Sequence, residues 1–302
     1  MSAAWDNYQS TGIDTTEIPS KRIYGTLSIK IPEMSIMIPA FRRANELREA
    51  LDSALYQTGV QNYEVVVVDN GAEIDEATDK LMKKYCAEHS NVLYHRNEEP
   101  LGICGNWNRC LELSRSEYLC ILHDDDILLP HYLKSLEPYA KNIQFCAIGV
   151  FSQFYNRRTA GTWGNYRTTS DRGKRVIEKI CRGKLIPQEP LDSARDMRPC
   201  PTAYFYNRSA CLRVGGFDFK SDGVGRVDDQ WFFAASSAEH PIYILPRNLA
   251  LRGVSIGESS NPASVYALIV GAYDMNSHIV DMYGGNHSYL QTINQIMLMG
   301  LI

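Results

Sequence analysis

Residues 65–71 read Val-Val-Val-Val-Asp-Asn-Gly, and the fold that the sequence predicts starts from this stretch. Four consecutive β-branched residues without polar alternation are typical of a strand that is covered on both faces of a parallel sheet. Asp69, Asn70 and Gly71 then end the strand with residue types that favour turns. We therefore expect an α/β protein with helices on both faces of the sheet.

Strand-like and helix-like patterns alternate on both sides of this stretch. Upstream, the apolar run from Met34 to Ile38 stops at Pro39, and apolar residues then recur at helical spacing from Leu47 to Leu55. Downstream we expect a helix through Leu81, Met82 and Tyr85, a strand at residues 91–95, a helix from Ile103 to Leu111, a strand at residues 118–122, a helix opened by Pro130, a helix opened by Asp228 and Asp229, and a strand at residues 242–245. Such alternation predicts a doubly wound, mostly parallel sheet flanked by helices.

Three segments depart from this pattern. Residues 1–33 are polar and aperiodic, which predicts an N-terminal extension. Residues 152–202 are rich in Arg, Gly, Thr and Asn and predict a loop-rich segment, either a mobile lid or a rigid excursion. Residues 256–302 look helical and predict a C-terminal appendage. The main domain is therefore expected at residues 34–255.

Composition excludes some classes of function. The net charge is -4, with 31 basic against 35 acidic residues, whereas a nucleic-acid-binding protein needs a basic face. Eight cysteines occur without a CxxC pair or zinc-type spacing, so we expect reduced thiols. The first residues contain no basic stretch followed by an apolar one, and no window has the roughly 18 apolar residues of a membrane span. A cytoplasmic small-molecule enzyme is the expectation.

The polar signals expected to carry the chemistry stand directly after predicted strands. Pro39, Ala40 and Phe41 follow the first strand, Asp69 ends the second, and the triplet 124–126 follows a later one. Ligands of open α/β sheets bind beyond the carboxyl ends of the strands, so these residues are expected to line one crevice. Ordinary turn chemistry is the alternative interpretation of Asp69.

Asp124, Asp125 and Asp126 are three adjacent like charges, which repel one another unless solvent, hydrogen bonds or a cation compensates. Carboxylate oxygens suit Mg²⁺ or Mn²⁺, which complete their coordination with substrate phosphates and water. A diphosphate ligand is therefore implied, and a solvated acidic loop is the alternative. Asp228 and Asp229 are explained either by the helix dipole or by a general base.

Taken together, these blocks resemble the inverting family 2 glycosyltransferases with a GT-A fold, over about residues 34 to 250. The matching residues are Ser35 to Arg43, Leu47, Leu51, Ser53, Leu55, Gln57, Glu64 to Gly71, Gly102, Asn106, Asn108, Glu117 to Pro130, Gly215 to Asp218, Asp228 and Asp229. Ordered blocks of this kind are far more specific than any single motif.

The resemblance implies roles for several of the matching positions. Asp125 would bind Mn²⁺ or Mg²⁺, with Asp126 as the close alternative, and Asp229 would be the catalytic base, with Asp228 as the alternative. The nucleotide-sugar donor would be bound by Pro39, Ala40, Phe41, Arg43, Asp69, Gly102, Asn106 and Asp124. His123 departs from the family pattern, which has aspartate there, and is either a hydrogen-bonding residue behind the ligands or a structural histidine.

The implied reaction transfers a sugar from a nucleoside diphosphate to an acceptor hydroxyl with inversion. UDP is the expected carrier, and dTDP and GDP stay open. Saccharide or lipid-linked acceptors are expected to contact residues 152–202. Lipid-linked acceptors would be compatible with attachment of the protein to the inner face of a membrane. The alternatives are a nucleotidyltransferase, which releases pyrophosphate, and a non-catalytic sugar-nucleotide-binding protein. An oxidoreductase is disfavoured because no GxGxxG follows the first strand.

Overall fold

The structure is a computed structural model that describes residues 18–26, 31–71, 73–156, 183–195, 202–217, 228–254, 277 and 279–284. Its elements in chain order are β1 (Ser20–Tyr24), β2 (Met34–Ala40), α1 (Ala44–Leu55), β3 (Tyr63–Asp69), α2 (Glu76–Glu88), β4 (Val92–Asn97), α3 (Gly102–Leu113), β5 (Tyr118–Ile121), β6 (Asp126–Leu128), α4 (Tyr132–Ala140), β7 (Ala147–Asn156), β8 (Ile186–Gln188), α5 (Pro190–Arg195), β9 (Tyr204–Asn207), α6 (Arg208–Arg213), α7 (Asp228–Glu239) and β10 (Ile242–Val254). Residues 279–283 are also helical.

The strands of the described ranges form one mixed sheet in the order β1-β4-β3-β2-β5-β9-β7-β10-β6, with β8 paired to β10. Strands β4, β3, β2 and β5 run parallel, as do β7 and β10. Strand β9 is antiparallel between β5 and β7. The expected α/β sheet is therefore confirmed, with parallel pairing at its centre and antiparallel strands on both sides.

Strand β3 confirms the prediction made from the valine run, because all seven of its residues are buried. Val65 and Val67 pack in one apolar cluster with residues of α1 and α2, such as Leu51. Val66 and Val68 pack on the other face, in a cluster that includes Cys110 and Leu111 of α3. Each buried valine contributes about 1.5–3 kcal/mol relative to an exposed one, so this strand anchors the site at its carboxyl end.

Strand β2 does not stop at Pro39 but continues to Ala40, where Pro39 pairs with Val68 of β3. The Met37 carbonyl accepts from Leu122 on the β5 side, and the Ala40 carbonyl accepts from Asn70 on the β3 side. The alternation of the strand turns Pro39 toward β5, where pairing has already ended at Met37. The missing N–H of proline therefore breaks no hydrogen bond of the sheet.

The expected N-terminal extension contains strand β1, which pairs antiparallel with β4 at the edge of the sheet. Polar side chains hold it there: Ser20 Oγ donates to Asn97 Oδ1 at 2.6 Å, and Tyr24 Oη donates to Asp79 Oδ2 at 2.9 Å. Because polar contacts hold this strand, its sequence does not show the apolar alternation from which strands are predicted. Residues 20–24 of the predicted extension therefore form an edge strand that the polar sequence did not reveal.

Two elements near the acidic triplet also differ from expectation. Asp126 begins the short strand β6, which pairs with β10 and which a three-residue pattern does not reveal. Helix α4 begins at Tyr132 and not at Pro130. The Pro130 carbonyl instead accepts hydrogen bonds from the backbone and side chain of Thr58, which fixes it to the loop after α1.

The segment expected to be loop-rich contains the end of β7, strand β8 and helix α5. Residues 157–182 and 196–201, on which most of the lid expectation falls, lie outside the described residues, as does most of the expected C-terminal appendage. No helix in the described part of the chain combines the length and the apolar character that crossing a bilayer requires.

Candidate active site

The candidate site lies at the carboxyl ends of the central parallel strands. The loop after β2 supplies Phe41 and Arg43, the loop after β5 supplies Asp124 and Asp125, and Asp126 begins β6. The main-chain N–H of Phe41 donates to Asp124 Oδ2 at 3.3 Å, which joins the two loops directly. Phe41 is 48% exposed, which is unusual for a phenylalanine, and the Arg42 guanidinium carbon lies 5.3 Å from the centroid of its ring.

Asp124 is buried at the centre of this group. Burial raises the pKa of its carboxyl to about 7, the neighbouring Asp125 charge adds to the rise, and Arg43 and the Phe41 amide oppose it. Arg43 Nη1 lies 3.5 Å from Asp124 Oδ1 and 3.0 Å from Asp125 Oδ2. One guanidinium therefore faces two of the three aspartates.

The position of Arg43 follows from the start of helix α1. Arg43 is the N-cap residue, and its side chain makes no capping hydrogen bond. Ser, Thr, Asp or Asn is the usual choice at an N-cap because those side chains satisfy the first free N–H groups. Here the capping position carries a long cationic side chain that reaches the acidic triplet instead.

Asp126 points in a different direction from Asp124. It is buried in β6, and its Oδ1 accepts from the Gly253 N–H of β10 at 2.8 Å. Burial raises its pKa, and the charge of Asp125 acts in the same sense. Asp125, the most exposed of the three, lies between these two buried carboxylates.

His123 joins the acidic group. One of its ring nitrogens lies with carboxylate oxygens of Asp125 and Asp126 so that all three atoms are within 4.8 Å of one another. Its Nε2 is buried and has no hydrogen-bond partner among the described residues. An imidazole nitrogen and carboxylate oxygens this close together are a donor set that suits a divalent cation, so the residues present fit Mn²⁺ or Mg²⁺.

Asp69 forms the centre of a second group at the end of β3. It is 2% exposed, and its Oδ2 accepts from Tyr94 Oη at 2.5 Å while Oδ1 accepts from the Gly71 N–H at 3.0 Å. Arg96 Nε lies 3.6 Å from Oδ2. Burial raises the pKa of Asp69, and these partners counteract the rise. The carboxylate is thus held by the protein itself.

A buried amide network fixes the loop before α3. Asn70 Oδ1 accepts from the Leu101 N–H at 2.8 Å, and Asn70 Nδ2 donates to the Gly102 carbonyl at 3.1 Å. Asn106 Nδ2 donates to the Val68 carbonyl at 3.0 Å. Asn106 is therefore used in holding α3 against β3, while Gly102, at a φ of 71°, forms the exposed start of the helix.

The two groups meet at β2. Ala40 pairs with Asp69 in the sheet, and the next residue, Phe41, binds Asp124. The structure therefore brings together the residues that the sequence predicted at three strand ends. Their roles toward a ligand stay predictions.

A series of aromatic contacts connects α7 to the acidic group. The His123 ring stacks on Trp107 with centroids 5.3 Å apart, Trp107 contacts Phe217 at 5.4 Å, and Phe217 contacts Phe232 of α7 at 4.3 Å. Asp228 and Asp229 open α7, as expected, three to four residues before Phe232. Their backbone is described and their side chains are not, so the assignment of the base remains a prediction.

The sequence model described as "Glycosyl transferase family 2" matches residues 35–207, which is more than half of the chain and includes both groups of the site. The chain belongs to this family. A relative in Mycobacterium tuberculosis, MT1568, is 27% identical to this family 2 glycosyltransferase and aligns with 73% of it and 67% of MT1568. The chain spans only 25% and 24% of two rickettsial glycosyltransferases that it also matches.

Solved structures show that the family 2 chain has the GT-A fold. Residues 1–349 of S. aureus TarS in complex with UDP-GlcNAc superpose with a TM-score of 0.60 at 16% identity, over 88% of this chain and 71% of that one. The mannosyltransferase PcManGT from Pyrobaculum calidifontis, in complex with GDP-Man and Mn²⁺, superposes with a TM-score of 0.52 at 16% identity, over 84% and 63%.

Two features of the site were missed from the sequence. His123 was interpreted as lying behind the ligands or as structural, whereas one of its ring nitrogens lies within the candidate metal cluster. The bond between Asp126 and Gly253 joins residues 127 positions apart and leaves no local signal. The departure of His123 from the family pattern was the one available indication.

Proposed function

We propose that this protein transfers a sugar from a nucleoside diphosphate to an acceptor hydroxyl with inversion at the anomeric carbon. One observation carries the proposal: a cation-type cluster of His123, Asp125 and Asp126 lies beside an exposed aromatic ring and an arginine at the carboxyl ends of the strands of a family 2 glycosyltransferase. A nucleoside diphosphate can use all three features: the metal and the arginine for its diphosphate, and the aromatic ring for its nucleoside.

In this proposal the divalent cation is held by Asp125 and Asp126, and when bound it supplies positive charge against the departing diphosphate. PcManGT has Mn²⁺ and GDP-Man in its complex, which supports Mn²⁺ as a candidate. Phe41 contacts the nucleoside, and Arg43 approaches the diphosphate. Asp124 faces the ribose or the donor sugar.

The remaining donor-binding roles fall on the second group of the site. Asp69 binds the base or ribose through the lone pairs that its protein partners leave available. Pro39, Ala40, Gly102 and Asn106 shape the backbone around it, because Ala40 pairs with Asp69 and Asn106 fixes α3 to β3. A buried, pre-oriented carboxylate loses little freedom when a ligand binds.

The chemical step is a direct displacement. Asp229 accepts the proton of the acceptor hydroxyl, the acceptor oxygen forms a bond to the anomeric carbon, and the bond from that carbon to the phosphate oxygen breaks. The nucleoside diphosphate leaves with the electron pair. The aromatic contacts from His123 to Phe232 support this role for Asp229, because they bring the start of α7 toward the acidic group.

UDP is the proposed carrier, since TarS, which shares the fold, is solved with UDP-GlcNAc, and GDP is the second candidate from PcManGT. The acceptor is proposed to be a saccharide or a lipid-linked saccharide. The cytoplasmic location, attachment to a membrane face and the domain boundaries stay predictions.

A thermal-shift panel of UDP, GDP and dTDP, each with and without Mn²⁺, tests the proposal. A ligand at a hundredfold its Kd stabilises by about 2.7 kcal/mol, so one nucleotide should raise the melting temperature clearly, and by more with metal than without it. Incubation with UDP-GlcNAc should release UDP; formation of UDP-GlcNAc and pyrophosphate from UTP and N-acetylglucosamine 1-phosphate would instead indicate a nucleotidyltransferase. If no nucleotide shifts the melting temperature in the presence of Mn²⁺, the proposal is wrong.

A further inference from the structure

The acidic group contains a nitrogen donor, from His123, in addition to its carboxylate oxygens. A ring nitrogen of His123 lies within 4.8 Å of carboxylate oxygens of both Asp125 and Asp126. Asp124, the nearest alternative, is already bound by the Phe41 N–H and faces Arg43. The donor set that surrounds a single point is therefore one imidazole and two carboxylates.

We propose that His123 is a nitrogen ligand of the metal and that it gives the site a preference for Mn²⁺ over Mg²⁺. The inference rests on the proposed function, because it concerns the same metal site. Mg²⁺ binds through oxygen ligands in near-ideal octahedral geometry and keeps most of its waters, whereas first-row transition ions accept imidazole nitrogen more readily. Replacing one oxygen ligand by a nitrogen therefore disfavours Mg²⁺.

The ring of His123 is oriented before any ion binds. It lies parallel to the Trp107 ring within 7°, with centroids 5.3 Å apart, and Trp107 is backed by the edge contact with Phe217. Phe217 is itself fixed by its N–H, which donates to Asn108 Oδ1 at 2.7 Å. The main-chain N–H of His123 donates to Thr202 Oγ1 at 3.1 Å, which fixes the backbone as well.

The buried Nε2 of His123 adds an energetic argument. It has no hydrogen-bond partner in the described part of the chain. A buried polar atom without a partner is unfavourable, and an ion or ordered water in contact with Nε2 would relieve that cost. Both ring nitrogens of a metal-binding histidine are normally engaged, one by the ion and the other by an acceptor. Direct ligation and contact through a water make different spectroscopic predictions.

Pulsed electron paramagnetic resonance of Mn²⁺ bound together with UDP distinguishes them. The wild-type complex should show modulation from a directly coordinated ¹⁴N, and His123→Gln should lose it. His131→Gln is the matched control, because His131 is an exposed histidine whose Nδ1 lies 2.7 Å from Thr58 Oγ1, and it should retain the signal.

Competition titrations of the same complexes give the selectivity. His123→Gln should lower the ratio of Mn²⁺ to Mg²⁺ affinity by about tenfold, and His123→Asp, which restores an oxygen ligand, should shift it toward Mg²⁺. If His123 were only structural, the substitutions would change the affinities for both ions together and leave their ratio unchanged. If Mn²⁺ binds together with UDP but shows no ¹⁴N coupling, this inference alone is overturned. If the wild type shows no Mn²⁺ binding that depends on Asp125, as measured against Asp125→Asn, the proposed function is overturned as well.

Discussion

Arg43 Nη1 lies 3.0 Å from Asp125 Oδ2, so the cation at the start of α1 faces the carboxylate proposed to bind the metal. Without a metal, this guanidinium compensates part of the repulsion within the acidic triplet. A divalent ion at Asp125 supplies that compensation itself and leaves Arg43 available to the diphosphate. Arg43 and the divalent ion therefore compete for Asp125, and both lie beside the diphosphate when it is bound.

Arg43→Gln should lower the melting temperature of the metal-free protein, because Asp124 and Asp125 lose their shared counter-charge. The Arg43 side chain is partly exposed, so the loss is expected to be about 1 kcal/mol or less. Mn²⁺ should stabilise this variant more than it stabilises the wild type. Thermal unfolding with and without Mn²⁺ measures both effects.

Arg42→Gln is the matched control for that experiment. Arg42 is the adjacent arginine, and its partner is Glu73 on the exposed side of the loop, at 3.0 Å. Its removal should change neither the metal-free stability nor the gain with Mn²⁺ by more than a few tenths of a kcal/mol. If Mn²⁺ stabilises the wild type, Arg42→Gln and Arg43→Gln equally, Arg43 does not compensate the charge of Asp125.

Asp69→Ala should reduce both stability and nucleotide affinity. The structure buries this carboxylate between Tyr94, Gly71 and Arg96, and removal leaves those donors without this partner. We expect a loss of about 1–3 kcal/mol in the free energy of unfolding, measured in urea.

Tyr94→Phe separates the two effects of Asp69. It removes the hydroxyl that donates to Asp69 Oδ2 and keeps the ring and the carboxylate. Stability should fall by about 1 kcal/mol, while UDP affinity stays within a few-fold of the wild type. If Asp69→Ala also binds UDP normally, Asp69 is a structural residue and the donor-binding role is wrong.

His95 should make the protein less stable in mild acid. Burial lowers the pKa of His95 from 6.5 to about 4, and the charges of Arg22 on β1 and Arg109 on α3 act in the same direction. The unfolded chain therefore takes up the proton at higher pH than the folded one, and stability is lost as pH falls from about 7 toward 4. We expect a loss of about 1–3 kcal/mol from this residue.

Urea unfolding at a series of pH values between 4 and 7.5 measures the His95 effect. His95→Gln keeps a polar side chain that cannot take up the proton, so its stability should depend less steeply on pH than that of the wild type. The same slope in both proteins would mean that other groups cause the acid sensitivity.

Asp229→Asn tests the catalytic base. The rate of UDP release from UDP-GlcNAc should fall about 10²- to 10⁴-fold, the usual contribution of a general base, while UDP affinity with Mn²⁺ is retained. Asp228→Asn, one position earlier at the start of the same helix, serves as the comparison. A larger loss in Asp228→Asn than in Asp229→Asn would transfer the role to Asp228.

The central part of the fold could be predicted because it depends on local patterns. The valine run of β3 is buried on both faces, so it reads as uninterrupted apolar sequence. The acidic triplet stood out because adjacent carboxylates are unfavourable without compensation. Both signals are confined to a few consecutive residues.

The remainder depends on contacts between segments that are distant in sequence. Strand β1 is held by polar bonds to residues more than 50 positions away, and β6 exists because β10 pairs with it. The stacking of His123 on Trp107 also has no local pattern. Such contacts appear only when the chain is folded, and they decide which donors surround the proposed metal position.

The coupling between metal and nucleotide is measured by isothermal titration calorimetry of UDP binding, with and without Mn²⁺, to the wild type and to Asp125→Asn. If Asp125 holds the metal beside the diphosphate, Mn²⁺ should raise UDP affinity at least about tenfold, or 1.4 kcal/mol, in the wild type, and this gain should disappear in Asp125→Asn while binding without metal is little changed. The same Mn²⁺-dependent gain in both proteins would contradict this role of Asp125.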